Sequence, residues 1–468
     1  MNATTPPSLT IRCLQASQRQ KYAAFCALEK AYGLRLDWEE VVAMGDRTSL
    51  HWGEVELASW RNHPVVTDHV TEVGPMRWDI WEREGEVQAR LMLPGFVDDP
   101  EIEASSLPFD PLAATFHALT CWDEQHGRLD LDEHGRPTTG ALAWQGASGE
   151  VRFGTRIMPM SDQHRWPWVE VMWHAILSEV DRNASPSLSF RPTFDVDVAF
   201  KHLGRPRWKT WMLQSRDLVM GRWSLVRERS QTLRGRLNDP YDTYGWIRGI
   251  HAGREDVGWF VLAADRKAPF DIGLNPRLDV LPALVASLSQ RKDTVGWHPS
   301  YAAMDDEGVR QHEKARFQSW HGADAQVART HFLRGQPGAW WRESARLGIK
   351  ADASLGWARE VGFRAGFSQA YPAYDVHSES TLNVMIHPMA VMDTALKSIM
   401  NSPEEAQQCM RTMMEVVSDV GGTWMSCWHN TSVSEDGEWE GWRSTYLHMV
   451  ESARELGGRT LEAWNPRS

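Results

Sequence analysis

From residue 188 to the C-terminus, short apolar segments alternate with amphipathic ones, and residues able to do chemistry stand where the apolar segments end. That alternation limits the chain to βα-repeating folds, in which each strand is followed by a helix that covers it. Residues 189–197 (SFRPTFDVD) read as a buried strand ending in two acids, and 257–264 as a second apolar strand followed by a helix over 280–290. The stretch 294–301 (TVGWHPSY) is a third strand with polar residues at its exit, followed by a helix over 307–320. A strand over 326–333, a helix over 338–347 and a strand over 381–386 continue the pattern. The best-marked helix starts at Ser402, a good N-cap, with Pro403 in the first position and Glu405 completing a capping box. Its residues Ala406, Met410, Met413, Met414 and Val417 share one face, and Gly421-Gly422 ends it. A strand over 423–428 exits at His429-Asn430, and a helix over 441–456 closes the series. In parallel βα barrels the strand-exit face carries the active site, because loops from several strands converge there.

The first 180 residues are less regular and read as a separate α+β domain, with residues 181–187 (DRNASPS) as the linker. A chain of 468 residues exceeds one ordinary core, so the expected division is 1–185 and 186–468. The net charge is −12 and no block of like charge dominates, which argues against a nucleic-acid partner. No apolar run approaches the roughly 20 residues of a membrane span. The five cysteines are scattered and form no CxxC pair, and the N-terminus has neither a basic leader nor an apolar core. The expectation is a cytoplasmic protein with free thiols. Most of the 25 tryptophans must be packing residues, with a few left to line a cleft.

Asp195 and Asp197 stand two apart on a strand, so their side chains leave from one face. Two close carboxylates call for a cation or a shared proton, and a divalent metal on one would leave the other free as a general base. A solvated strand end accounts for an isolated DxD equally well. His298 and His331 each read either as hydrogen-bonded core groups or as metal ligands; Asp-His-His is a usual ligand set for a catalytic divalent site. His429 can serve as a general acid.

The ordered set TFDVD (193–197), GWHPSY (296–301), RTHFLR (329–334) and WHN (428–430) resembles the NodB-type polysaccharide deacetylases, the carbohydrate esterase family four superfamily. Residues 109–114, 132–136, 239–244 and 362–366 resemble a bacterial branch with an extra, uncharacterised N-terminal domain. The resemblance implies a deformed (β/α) barrel preceded by a smaller α+β domain, a divalent metal, zinc by preference, and a carbohydrate substrate. It further implies Asp195 as the general base, Asp197 and His298 as metal ligands, and His429 as the acid that protonates the departing amine. Arg329 is the preferred match for the arginine that orients the base, with Arg364 competing. The family's second motif would place another histidine at position 302, where this chain has Ala302. His331 is taken as its substitute. Trp297, Tyr301 and Trp428, and with them Trp442, are the candidates for stacking on sugar rings.

The resulting expectation is a metal-dependent hydrolase removing N- or O-linked acetyl groups from a carbohydrate. A catalytically silent carbohydrate-binding or scaffolding protein is the alternative that Ala302 favours, and an amidohydrolase acting on a small non-sugar amide is a third.

Overall fold

A computed structural model describes residues 8–67, 76–83, 87–94, 107–142, 144, 146–178, 180, 187–264, 270–271, 279–289, 293–460 and 464. Nearly all of the expected linker, residues 181–186, lies outside the described residues.

The C-terminal part is built on ten strands: β1 (Ser189–Val196), β2 (Gly258–Leu262), β3 (Thr294–His298), β4 (Val327–Ala328), β5 (Ala351–Asp352), β6 (Tyr371–Asp375), β7 (Ser380–Ile386), β8 (Val391–Met392), β9 (Thr423–His429) and the short β10 (Arg459–Thr460), which pairs with the start of β1 off the main path. Their order is β6-β7-β5-β4-β3-β2-β1-β9-β8, and every pair is parallel except β6 with β7. Only residues 387–390 separate β7 from β8, so the two ends of the series lie close together. Backbone bonds from Met389 N to Leu355 O and from Ala390 N to Met425 O, each 2.9 Å, cross that junction. The result is a deformed (β/α) barrel, pinched where β4 and β5 are two residues long.

Strands buried on both faces tend to read as continuous apolar runs, as β2 (GWFVL) does; β1 (SFRPTFDV) is also buried along almost its whole length, although Arg191, Thr193 and Asp195 alternate with its apolar residues. The helix Pro403–Asp419 packs Ala406, Met410, Met413, Met414, Val416 and Val417 inward, and Ser402 Oγ accepts from Glu405 N. Glu405 reaches back one residue further than a capping box requires, taking the Asn401 N–H at 2.9 Å.

The strand expected over 326–333 is cut to Val327–Ala328. Beyond it the chain turns tightly at His331–Leu333, with Phe332 at φ 61° and Leu333 at φ 53°. Two consecutive non-glycine residues in the left-handed region cannot continue a strand and need outside support.

The N-terminal residues form two four-stranded sheets, 8–61 and 78–159, with helices Pro111–Leu119 and Trp168–Ile176. Their core is continuous with Trp340, Trp341, Tyr371 and Tyr374 of the barrel part. Polar ties cross the same seam. Tyr22 Oη donates to Pro372 O at 2.9 Å, and Ser368 donates from N and Oγ to the buried Glu170 carboxylate at 2.7 and 2.8 Å. All five cysteines are free. No described helix is long and apolar enough to cross a membrane.

Candidate metal and acid–base centre

β1, β3 and β9 and the turn after β4 deliver Asp195, Asp197, His298, His331, His429 and Arg329 to one place at the strand-exit end of the barrel. Register explains the convergence. His429 is the parallel partner of Asp195, and β2 connects β1 to His298 through the pair Leu262–His298.

Asp197 is the hub. Its Oδ1 lies 3.2 Å from His298 Nε2, and its Oδ2 lies 3.4 Å from both His331 Nε2 and His429 Nε2. One ligand atom from each of Asp197, His298 and His331 falls within 4.8 Å of the others. The far sides of the rings decide what those Nε2 atoms can do. His298 Nδ1 stands 2.6 Å from Arg329 O, and His331 Nδ1 stands 3.0 Å from Asp271 Oδ1. Both partners only accept, so each Nδ1 carries the proton and a neutral ring leaves Nε2 as a lone pair facing Asp197. Asp197 Oδ1 is buried and has no hydrogen-bond partner, despite its nearness to His298. Lone pairs directed at one another are the arrangement that a cation satisfies.

The charge balance points the same way. Asp195, Asp197, Asp271 and Asp393 are set against the guanidinium of Arg329, and the most exposed of the four shows only 25% of its side chain. Unpaired buried carboxylates are costly, so positive charge must come from bound protons or a metal ion. Without a cation, protons take the role. Burial opposes a charged His331 ring, but Asp197 and Asp271 outweigh it and push the ring up to about 9. Burial likewise disfavours the charged form of Asp197, yet the surrounding imidazoles hold its carboxyl well below the usual range.

Asp195 stands beside this hub, with Oδ2 3.9 Å from His298 Nε2, but its hydrogen bonds go elsewhere. Arg329 Nη1 donates to its Oδ1 at 2.8 Å, and Cys427 Sγ lies 3.3 Å from Oδ2. Arg329 is itself fully buried, donates from Nε to Ala353 O at 3.0 Å and stacks 4.2 Å from the Phe260 ring centre. Burial alone would raise the Asp195 carboxyl; Arg329 first, then the nearby imidazoles, bring it below its ordinary value. His429 is tied by Nδ1 to Asp393 Oδ1 at 2.8 Å, and its own N–H donates to Asp393 Oδ2 at 2.7 Å. Burial penalises the charged ring, but Asp393 and Asp197 prevail and hold it well above the ordinary histidine value.

Other expected site residues lie elsewhere. Arg364 pairs with Glu124, with Nε 3.0 Å from Oε1, and borders a separate cavity of about 300 Å³ that includes Trp122, Trp144, Trp168 and Trp357. Trp297 and Trp428 are fully buried in the barrel core, and Trp442 is nearly so; none presents a ring face to solvent. Tyr301 stays partly exposed. Its ring packs 4.6 Å from Phe270 and lies 3.9 Å under the Arg334 guanidinium.

Three contributors carried no expected role at this site, although the turn 132–136 had been singled out for its resemblance. Asp393 follows β8 as Asp197 follows β1, so the rule that acids mark strand exits would have found it. Asp271 lies on a loop with no periodicity to flag it, and it also accepts the N–H groups of Tyr301 and Ala302 at 2.8 and 3.2 Å. The N-terminal turn 132–136 is the third. Arg136 grips Asp132 Oδ2 through Nε and Nη2 at 2.9 and 2.7 Å and donates from Nη1 to Phe332 O at 3.0 Å. His134 Nδ1 stands 3.2 Å from Tyr301 Oη, with its ring edge-on to Phe270 and Phe332. This turn therefore braces the strained residues that follow His331.

No family model matches the sequence, and no curated protein matches it. Among solved structures the chain is similar to an allantoinase at 12% identity, covering 58% of this chain and 86% of that one, with a TM-score of 0.36. It is similar to a polysaccharide deacetylase from Bacillus cereus at 9% identity, covering 60% and 92%, with a TM-score of 0.29. It is also similar to a protein assigned as a polysaccharide deacetylase from Pseudomonas aeruginosa PAO1, at 11% identity, covering 61% and 93%, with a TM-score of 0.37. Likenesses this distant assign no activity to the chain.

Proposed function

We propose that the protein is a divalent-metal-dependent hydrolase that removes acetyl groups, N- or O-linked, from a carbohydrate. The observation that carries the proposal is the pair of imidazoles whose Nδ1 atoms are taken by Arg329 O and Asp271, leaving both Nε2 atoms directed at Asp197. In this reading Asp197, His298 and His331 hold the metal, zinc by preference for one carboxylate and two imidazoles with open positions. When bound, the ion would supply Lewis-acid polarisation of the acyl carbonyl and of water.

The chain's own groups divide the proton work. Asp195, kept ionised by Arg329, takes a proton from the water that attacks the acyl carbon. His429, charged and steered by Asp393, gives a proton to the nitrogen or oxygen as its bond to that carbon breaks, leaving acetate and a free amine or alcohol. Each proton-transfer group is worth on the order of 10²–10⁴ in rate. The carbohydrate substrate rests on the resemblance of the four sequence motifs to the NodB-type deacetylases. In the same proposal residues 1–185 form a smaller unit and 186–468 the catalytic one.

The test is the metal content of purified protein, by elemental analysis, in wild type, Asp197→Ala and His331→Ala, together with acetate release from a panel of acetylated oligosaccharides. Near-stoichiometric metal lost in both variants, with acetate released only by wild type, is the expected result. The silent binding protein, which draws on Ala302, predicts no metal in wild type even after reconstitution with zinc. Metal bound without acetate release from any sugar, but with hydrolysis of a small amide, would replace the carbohydrate substrate.

A further inference from the structure

The crossover from β1 to β2 carries three helices that the strand–helix alternation had passed over, and the first two, Arg207–Val219 and Trp223–Leu233, form a hairpin ahead of Tyr244–His251. A hairpin of helices in water buries its apolar stripe and shows its polar one. This hairpin departs from that pattern: Leu213, Leu225 and Val226 are half-buried, but much of its apolar surface is exposed and a charged pair is buried. Its fully buried side chain is Asp217, bonded at 2.6 Å to the nearly buried Arg229, which also bonds Gln214 at 3.0 Å. Outward face Trp208, Trp211 and Trp223, which are 67%, 73% and 67% exposed, with Met212, Val219 and Met220 beside them. Among the described residues, nine of the seventeen exposed large apolar side chains fall between 208 and 237, so the patch is a concentration and not a scatter.

Its charge is equally local. Residues 207–236 hold eight Lys and Arg against Asp217 and Glu228, a charge of +6 inside a chain of −12. The even spread of charge expected from the sequence fails here. Arg207, Arg222, Arg227, Arg234 and Arg236 are exposed around the apolar face. The base of the hairpin is fixed: Asp239 accepts the N–H groups of Lys201, His202 and Leu203 at 2.8, 2.8 and 3.0 Å, and Lys201 Nζ reaches Asp436 at 2.8 Å and Glu228 at 2.9 Å. Helices of 13 and 11 residues are too short to span a bilayer.

We propose that this hairpin is a docking surface for an anionic lipid membrane, with Trp208, Trp211 and Trp223 entering the interfacial region and the surrounding arginines meeting acidic headgroups. Indole rings favour the depth between headgroup and acyl chain, and a basic amphipathic surface lies in the membrane plane. The charge selects acidic lipid over neutral lipid, and the apolar face selects a membrane over a nucleic acid, whose binding needs phosphate contacts in place of buried methionine and valine. The hairpin follows in sequence the β1 exit that bears Asp195 and Asp197. The surface stands independently of the hydrolase reading; combined with it, the substrate becomes an acetylated sugar displayed at a membrane.

The test is flotation of the full-length protein with vesicles of phosphatidylcholine alone and of phosphatidylcholine with phosphatidylglycerol at about 7:3, at low and high salt. Wild type is expected to float with the anionic vesicles, weakly with the neutral ones and less at high salt. Trp208→Ser/Trp211→Ser/Trp223→Ser is expected to lower partitioning roughly tenfold or more. Arg207→Gln/Arg222→Gln/Arg227→Gln is expected to lower it on the order of 100-fold. All six positions are exposed, so folding survives either change, and near-ultraviolet circular dichroism checks that it does. No flotation of wild type, or flotation of both variants equal to that of wild type, overturns the proposal. So does a wild-type dimer that the tryptophan variant dissolves, which makes the partner a second copy, or binding to an oligonucleotide without binding to vesicles. Acetate release and metal content are read separately, so failure of docking and failure of the hydrolase reading remain distinguishable.

Discussion

Glu170 allows a stability effect to be worked from the structure. It is fully buried at the seam between the N-terminal residues and the barrel, with Oε1 taking the Ser368 N–H and Oγ–H while Oε2 has no partner. Burial pushes its carboxyl up to about 8, against the opposing bonds from Ser368, from an ordinary value of 4.5. Below pH 4.5 the folded and unfolded chains are both protonated and the group costs nothing. Between 4.5 and 8 the unfolded chain releases a proton that the folded one keeps, so stability falls as pH rises, by about 1.36 kcal/mol per unit. Over about 3.5 units the loss approaches ~5 kcal/mol, complete once the folded carboxyl ionises above pH 8. Glu170→Gln removes the titration and keeps the acceptor for Ser368. Its amide leaves one group unpaired in place of the acid's hydroxyl, so the two chains should match within about 1 kcal/mol at low pH. Urea unfolding followed by tryptophan fluorescence at pH 5, 7 and 9 measures the difference. The variant is expected to equal wild type within error at pH 5 and to exceed it by several kcal/mol at pH 9. A difference that stays flat from pH 5 to 9 would refute the reasoning, because it would mean that Glu170 carries no shift.

Asp393→Asn removes the carboxylate that steers His429 and holds it charged; the proposed acetate release should fall on the order of 10²–10³-fold, with the alkaline limb of the pH–rate profile moving to lower pH. Arg136→Ala frees the strained turn after His331, and zinc affinity measured against a chelator should drop on the order of tenfold, whereas Arg359→Ala, which breaks only the exposed pair with Glu133, should leave it unchanged. Trp297→Phe and Trp428→Phe should lower the unfolding midpoint by trimming a packed core, costing about 1–3 kcal/mol each, yet leave KM for an oligosaccharide unaltered. A raised KM at unchanged stability would return either ring to the substrate cleft.

The strand–helix alternation and the placement of acids and histidines at strand exits were legible in the sequence because both depend on local properties. A buried parallel strand such as β2 shows as a short apolar run, and Ser402-Pro403 is a local helix-start signal. Asp195, Asp197, His298, His331 and His429 could be nominated on that ground, since each ends or follows a strand of recognisable composition.

Which partners those residues take was settled only by the tertiary structure. Arg329 and Arg364 look alike as arginines near a turn, yet one meets Asp195 and the other Glu124, because the first follows β4 and the second faces the N-terminal residues. Trp297 and Trp428 sit beside histidines in the sequence, but neighbours along a strand point to opposite faces, so the rings enter the core where His298 and His429 enter the site. Asp271 reaches His331 across 60 residues, and Arg136 reaches Phe332 across 196. The order of apolar and amphipathic segments by itself determined that a parallel α/β chain with acids and imidazoles at its strand exits was to be expected. Distances between residues remote in sequence depend on how the strands of the barrel come together and on what packs against its rim, and only the tertiary structure decided those.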